Sequence, residues 1–508
     1  MAGPLSRLRK NLVLGAPLQN AVTWIKRRFA RLRYHSPVPS YHVENFGCRA
    51  TQADGASLEH QFESRGLSRA PSADADLVIL NTCTVTHSAD QDARAAIRRV
   101  QRRNPLAKII VTGCYAQRAP AEIAALPGVT AVIGNSHKDQ LAEIALNEVA
   151  IPFGAFVPLA SLDQRLTTND EPPVFVSNIF AHTDLLAAPV FDAISSDQND
   201  RTRPNLKVQD GCDNRCSFCV IPSVRGHSRS LPLHEIIREV NTLVAAGYRE
   251  VVVSGINLGR WGRDLTISTA KAGSQKPLFE DLLRAILAET ELEKLRISSV
   301  EPMDWSDELI TLVASSPRIA KHAHVPLQSG SDTVLRRMHR KYRPWHYREK
   351  IEKIRTAIPS AAIGADVMAG FPGDTDAEFE ATHKLIEDLP FTYLHVFTYS
   401  ARPGTPAAVL PNQVPVQVAR RRNEILRNLA AKKKFAFMQS FVGKRLGAIT
   451  LNVVHNRPEG GEFTEALSDN YQKLFLKGRH APNRWIKAHI DRVESAACVG
   501  TVAEYAGT

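Results

Sequence analysis

The chain has 508 residues, more than one hydrophobic core accommodates, so roughly two to four domains are expected. Apolar residues make up 44% and charged residues 23%, a globular balance that excludes a low-complexity or fibrous chain. No apolar run reaches about 18 residues, so no membrane-spanning helix is expected. The formal net charge of +12 is spread through every segment and favours a polyanionic partner.

In chain order, the first forty residues come as a basic extension with eight Lys/Arg and no Asp or Glu. "AVTWIKRRFARLRY" has the pattern of a basic amphipathic helix, readable as a nucleic-acid or membrane-surface arm. A transit peptide, for which serines are few, or a dispensable extension ahead of "YHVENFGC" are the other readings. From Tyr41 strand and helix alternate. "YHVENFGC", "DLVILNTC", "AKIIVTGC" and "VTAVIGN" read as strands. "QADGASLEHQFESRG", closed by Gly66, and "SADQDARAAIRRVQRRN", ended by Pro105, read as helices between them. Residues 41–150 therefore predict an open parallel α/β sheet. Residues 151–203 are polar or lack a clear period and read as a linker or insertion.

Alternation resumes in 204–435. "NLKVQDG", "EVVVSGIN", "KLRISSVEP", "HAHVPLQSG", "IGADVMAGFPG" and "TYLHVFTYS" give six strand–helix repeats, an incomplete (β/α)6 barrel or a curved parallel sheet. Ligands of such folds sit at the carboxyl ends of the strands. "VQVARRRNEILRNLAAKKKFAFMQSFVGK" predicts a long basic helix, and residues 440–506 read as short strands forming a small β-barrel.

There are seven cysteines and no signal peptide or disulfide-type framework, which points to a reducing, cytoplasmic setting with thiols free to bind metal. Cys48, Cys83 and Cys114 each follow one of the first three long strands ("FGC", "NTC", "TGC"). Strand-end positions converge in an open α/β sheet, so a shared metal site is favoured over three separate buried thiols. Cys212, Cys216 and Cys219 form C-x3-C-x2-C after the first barrel strand. Three ligands do not close a structural zinc site, though His227 keeps zinc open as a reading. The other reading is a four-iron cluster on three thiolates, one iron left free for a cofactor. Cys498 stands apart and reads as a buried thiol.

With Phe218 in the aromatic place, Cys212–Cys219 resembles the cluster loop of radical S-adenosylmethionine (SAM) enzymes. That resemblance implies that the open iron chelates SAM and that reductive cleavage yields methionine and a 5′-deoxyadenosyl radical. "FGCRATQADG", "NTCTVTHSAD", "VTGCYAQR", "VQDGCDNRCSFCVIPSVRGHSRS", "HVPLQSGSD" and "DVMAGFPGDTDAEF" together resemble the methylthiotransferases from about Tyr41 to the end, apart from much of 160–200. The resemblance implies two 4Fe-4S clusters, an auxiliary one on Cys48, Cys83 and Cys114 and the SAM cluster on Cys212, Cys216 and Cys219. It also implies a C-terminal RNA-binding TRAM domain, a flavodoxin- or ferredoxin-type electron donor, and a monomer. "GCR" and "NTCTVT" resemble the branch acting on N6-threonylcarbamoyladenosine at tRNA position 37, rather than those acting on isopentenyladenosine or a ribosomal-protein aspartate. Thr51 departs from the family, which has asparagine there.

By the same resemblance Ser254, Gly255 and Asn257, after the second barrel strand, touch the SAM amino group. Gln328 and Ser329, with Gly330, end the fourth strand; Gly370 and Asp374 lie in the turn after the fifth, near the adenine. Glycine there allows close backbone approach, while ordinary turn chemistry is the other reading of each. Glu301-Pro302 reads as a polar rim pair or a strand stop. Lys444, Arg445, Lys473, Lys477 and Arg479 suit phosphate contact, and Tyr471 and Phe475 either stack on unpaired bases or fill a core. The general base is not legible. A zinc-stabilised RNA-binding protein without catalysis is the competing class.

Overall fold

A computed structural model describes residues 38–149, 171–182, 202–265, 267–269, 273–457, 461–494 and 497–505. The expected basic arm lies almost wholly outside them. Strands β1 (Ser40–Asn45), β2 (Ser68–Arg69), β3 (Leu77–Thr82), β4 (Lys108–Gly113), β5 (Val129–Gly134) and β6 (Val174–Phe175) form a parallel sheet. Their order is β2-β1-β3-β4-β5-β6, so the direction of winding reverses between β1 and β3. Both faces are covered, which is why β3 is buried along its whole length. Leu58 and Phe62 of the helix Arg49–Glu63 cover Leu77, Ile79 and Ile110 on one face. Ala93, Ala96, Ile97 and Val100 of the helix His87–Arg103 cover Val78, Leu80 and Val111 on the other. Thr86 starts the latter helix by accepting the Ala89 N–H at 3.1 Å. Strand β6 falls in the segment read as a linker and extends the sheet beside β5.

The second unit begins with β7 (Asn205–Asp210), β8 (Arg229–Ser230) and β9 (Glu250–Gly255), followed by a small hairpin of β10 (Ile267–Thr269) and β11 (Gly273–Gln275). Strands β12 (Lys294–Ile297), β13 (His322–His324), β14 (Ala362–Ala369) and β15 (Tyr393–Thr398) complete it. The sheets β12-β9-β7-β8 and β13-β14-β15 are joined by parallel bridges from Leu295 to Ile319 and from Ser299 to His324. Six parallel strands thus run in chain order around an arc that stays open between β7 and β15. Alternation sets its two sides. Leu206, Val208, Val251, Val253, Leu295 and Ile297 pack outward into the main core. The intervening Lys207, Gln209, Arg296, His322 and His324 turn inward, so the lumen is polar.

The helix Val416–Gln439 leads to a closed barrel of β16 (Arg445–Arg457), β17 (Gly461–Ser468), β18 (Lys473–Lys477), β19 (Trp485–Glu494) and β20 (Ala497–Tyr505), ordered β16-β17-β18-β20-β19. Met438 and Phe441 at the helix end plug its core, where Cys498 is fully buried. The three-part fold expected from the pattern is the fold observed.

Gly113, the last residue of β4, has φ +96° and aims the chain at Cys114. A Cβ there would run into the Thr82 backbone, whose nitrogen would lie 2.6 Å away. Gly113→Ala is expected to destabilise the N-terminal sheet by about 2 kcal/mol or more. Thermal unfolding monitored by amide exchange of β3 and β4 measures this.

Candidate active site

The winding reversal between β1 and β3 opens a crevice at the strand ends. Cys48 caps the helix after β1, Cys83 follows β3, and Cys114 opens a short helix after β4. Cys83 and Cys114 are buried and Cys48 is exposed. Gly47 (φ +107°) lets the first loop close on the second, since a Cβ there would stand 2.6 Å from the Cys83 Cβ. Burial, reinforced by the neighbouring thiols of Cys114 and Cys48, pushes the Cys83 thiol up to about 12. Cys83 is therefore within electrostatic reach of both other thiols. Thr51 lies 3.5 Å, oxygen to sulfur, from Cys48. Asn81 holds that turn by donating to the Thr51 carbonyl at 2.8 Å. Thr51, the departure from the expected asparagine, thus serves the cysteine loop.

The second set sits on the loop after β7. Gly211 (φ +69°) starts it, packed so tightly on the His227 carbonyl that no side chain fits. Cys212 Sγ accepts from Asn257 Nδ2 at 3.5 Å and from the Asn214 N–H at 3.4 Å, and Cys216 Sγ accepts from Arg340 Nη1 at 3.3 Å. Burial raises the thiols of Cys212, to about 11, and Cys219, to about 12. Ser217 anchors the loop on the Arg337 and Met338 carbonyls, and Phe218 meets Phe371 edge-on. Glu301, read as a rim residue or a strand stop, pairs with Arg340. Both line an open cleft with Cys216, Asn214, Arg260 and Tyr342.

Each set offers three thiols. Among the described residues no three His, Cys, Asp or Glu side chains stand at single-ion spacing. A four-iron cubane holds its thiolates farther apart than one ion does, and its three-thiolate form needs no fourth protein ligand. His227, the one neighbour that kept zinc open, is exposed, hydrogen-bonded to Asp213 at 2.8 Å and packed against Phe180. The donor sets fit clusters.

The remaining expected contacts divide. Asn257 reaches Cys212 and is itself held by Gln209 Oε1, which accepts its N–H at 2.7 Å. Gly255 lets β9 approach Gln209, whose Oε1 would lie 2.9 Å from an added Cβ, and Ser254 is buried beside β7. Gln328 has φ +63° and its backbone pairs with β14. Ser329 Oγ faces Thr382 at 3.2 Å. Asp374 closes its turn on the Gly370 N–H and pairs with Arg422 at 3.1 Å. Ser329, Gly370 and Asp374 are thus held in contacts of the fold. Lys444, Arg445, Lys477 and Arg479 are exposed on the C-terminal barrel, and Lys473, also exposed, pairs with Glu465 at 2.5 Å. Phe475 meets His455 edge-on. Tyr471 turns instead toward the six-stranded arc, 4.5 Å ring to ring from His322 and 5.6 Å from Tyr393.

Two buried ionic clusters escaped the sequence reading. Asp54, on the helix after Cys48, pairs with Lys138 at 3.0 Å, with Arg225 at 2.9 Å and with Lys207. Lys207 and Arg225 also hold Asp210, both at 2.9 Å. Burial opposes ionisation of both carboxyls, but the cations outweigh it and keep both below the usual carboxylate range. Three cations face two carboxylates, and Cys114 and Cys48 lie within reach of the Arg225 charge. In the second cluster Asp90 pairs with Arg118 at 3.1 Å and with Arg402, both also bonded to Thr84, and the His87 N–H donates to Ser400. The first cluster grips β7 and the second the segment after β15. The N-terminal sheet therefore bridges the two lips of the open arc and brings its cysteines to the SAM-type loop: Cys114 packs against Val220 and Val224, just past Cys219.

This geometry defines a radical SAM enzyme with a second thiol-rich site. Residues 206–386 match the Radical SAM superfamily, and residues 40–134 match the uncharacterized protein family UPF0004. A threonylcarbamoyladenosine tRNA methylthiotransferase of Bacillus subtilis is 36% identical over 85% of this chain and 89% of its own. A tRNA-2-methylthio-N(6)-dimethylallyladenosine synthase of Novosphingobium aromaticivorans is 33% identical over 80% and 85%. In fold, the radical SAM methyltransferase TsrM of Kitasatospora setae, solved with cobalamin and a 4Fe-4S cluster, superposes with a TM-score of 0.51 at 14% identity, covering 74% of each chain. The chain belongs to the radical SAM methylthiotransferase family and is a transferase. Membership implies SAM and one 4Fe-4S cluster as cofactors.

Asp54→Ala removes one pole of a buried network and leaves three cations short of a partner. It is expected to cost about 3–5 kcal/mol of interdomain stability. Because Asp54 and Asp210 titrate lower folded than unfolded, their contribution is fully present above about pH 4 and is lost only as pH falls further. Amide exchange of Lys207–Asp210 across pH, in wild type and D54A, reads both effects.

Proposed function

We propose that the chain transfers a methylthio group to C2 of N6-threonylcarbamoyladenosine at position 37 of tRNA. The observation that carries this reading is the abutment of two three-cysteine sites, Cys48, Cys83 and Cys114 on one side and Cys212, Cys216 and Cys219 on the other. Relatives named for this substrate, at 31–36% identity over most of their lengths, support it. When bound, the cofactors supply the radical, the methyl group and the sulfur. The chain holds and orients them. Asn257 and Arg340 donate to the sulfurs of Cys212 and Cys216 and orient them, and Glu301 fixes Arg340. The exposed lysines and arginines of the C-terminal barrel, read as a TRAM domain, would position the RNA by its phosphates, and an anticodon loop presents an unpaired base to the lumen. A flavodoxin- or ferredoxin-type donor and a cytoplasmic location fit this role. Among the described residues no helix is long and apolar enough to cross a membrane.

Anaerobic reconstitution is expected to give about eight irons per chain, and Cys48→Ala about four. About four irons in wild type, unchanged in C48A, would remove the second cluster from the proposal. Mass spectrometry of tRNA nucleosides from cells with and without the gene tests the substrate. The methylthio form of threonylcarbamoyladenosine should disappear on deletion. Loss of the methylthio form of isopentenyladenosine instead would assign the other branch, toward which the 33% relative points.

A further inference from the structure

The lumen of the arc is lined by a connected set of rings. The Tyr393 hydroxyl lies 2.7 Å from His322 Nε2 and 3.0 Å from His324 Nδ1, and His395 packs 5.5 Å from His324. Tyr471 of the C-terminal barrel closes one side. Arg49 enters this space from the N-terminal sheet. It follows Cys48 directly and donates from Nη2 to the Tyr471 hydroxyl at 3.4 Å. Its charge, after burial and the neighbouring cations, helps hold His322 and His395 below the usual imidazole range, so those rings are neutral near pH 7. The lumen's other fixed charges have partners of opposite sign: Arg296 pairs with Glu250 at 2.6 Å and Lys207 with Asp54 and Asp210, while Asp366 accepts a contact from the His324 ring at 3.2 Å. Among the described residues no carboxylate pairs with Arg49. A half-buried guanidinium left without a counter-ion is poised for an anion, and its planar fork suits a carboxylate.

The substrate proposed above carries one. Its N6 substituent ends in a threonine carboxylate, whereas an isopentenyl substituent is uncharged. C2 and the N6 substituent flank N1 on the same edge of the purine. A base whose C2 faces the Cys48 site therefore presents its N6 arm to the residues next to Cys48. We infer that Arg49, braced by Tyr471, is the carboxylate-binding subsite that selects an acidic N6 substituent. This rests on the tRNA reading above.

The test uses reconstituted full-length enzyme and anticodon stem-loops bearing either threonylcarbamoyladenosine or its threonyl methyl ester. Binding is read by fluorescence anisotropy without SAM, and kcat/KM by product mass. Wild type is expected to favour the acid over the ester by about tenfold in both. Arg49→Gln should bind the two alike, Arg49→Lys should restore part of the preference, and Tyr471→Phe should weaken it while keeping the charge. Iron content and circular dichroism of each variant are measured first. The acid–ester comparison on wild type needs no variant, so a misfolded R49Q leaves the inference open to refutation. It is overturned if wild type methylthiolates acid and ester equally, or if R49Q keeps the wild-type preference. Should wild type not methylthiolate the acid loop at all, the substrate reading itself falls, an outcome distinct from either of these.

Discussion

The carboxylate of Asp54 is the contact on which the two-site architecture depends. It sits six residues past Cys48, buried at 1% exposure, and draws Lys138 of its own sheet together with Lys207 and Arg225 of the arc. Charges taken out of water are costly unless paired, so the cluster favours the relative placement of the two units that brings Lys207 and Arg225 to Asp54. That placement sets Cys114 against the residues that follow Cys219. The surplus cation is Arg225, within electrostatic reach of Cys48 and Cys114, where deprotonated thiols would place compensating negative charge.

The local chemistry was plain in the sequence because it is local. Three cysteines in eight positions need no fold to be seen, and "FGC", "NTC" and "TGC" place their thiols at strand ends by pattern alone. The six arc strands could be read because buried parallel strands are short apolar runs bounded by turns. The short pairings β2, β6 and β8 gave no such signal, being two residues each.

The ionic clusters were hidden for a different reason. Asp54 and Asp90 lie in helical stretches among other polar residues, where a carboxylate reads as solvated surface. Their burial is decided by partners 153 and 312 residues away. The lumen left a faint trace, since "HAH" in β13 and His395 in β15 put polar rings at inward positions of otherwise apolar strands. Tyr471 illustrates the converse. An aromatic in a basic barrel suggests base stacking, but docking of that barrel through the Ser468 and Asp469 carbonyls, which accept from Arg296, turns it inward. Only tertiary placement separates those readings.

The bridging of both lips of the arc has a mechanical consequence. A sheet open along one edge can flex its circumference, as a split ring can. Here one lip is pinned at Asp54 and the other at Asp90, by charge pairs on a single rigid domain. The ring is closed by a clasp rather than by two more strands. An enzyme with two cysteine sites facing one such chamber would work at constant bore, its steps set apart by which molecules occupy the chamber.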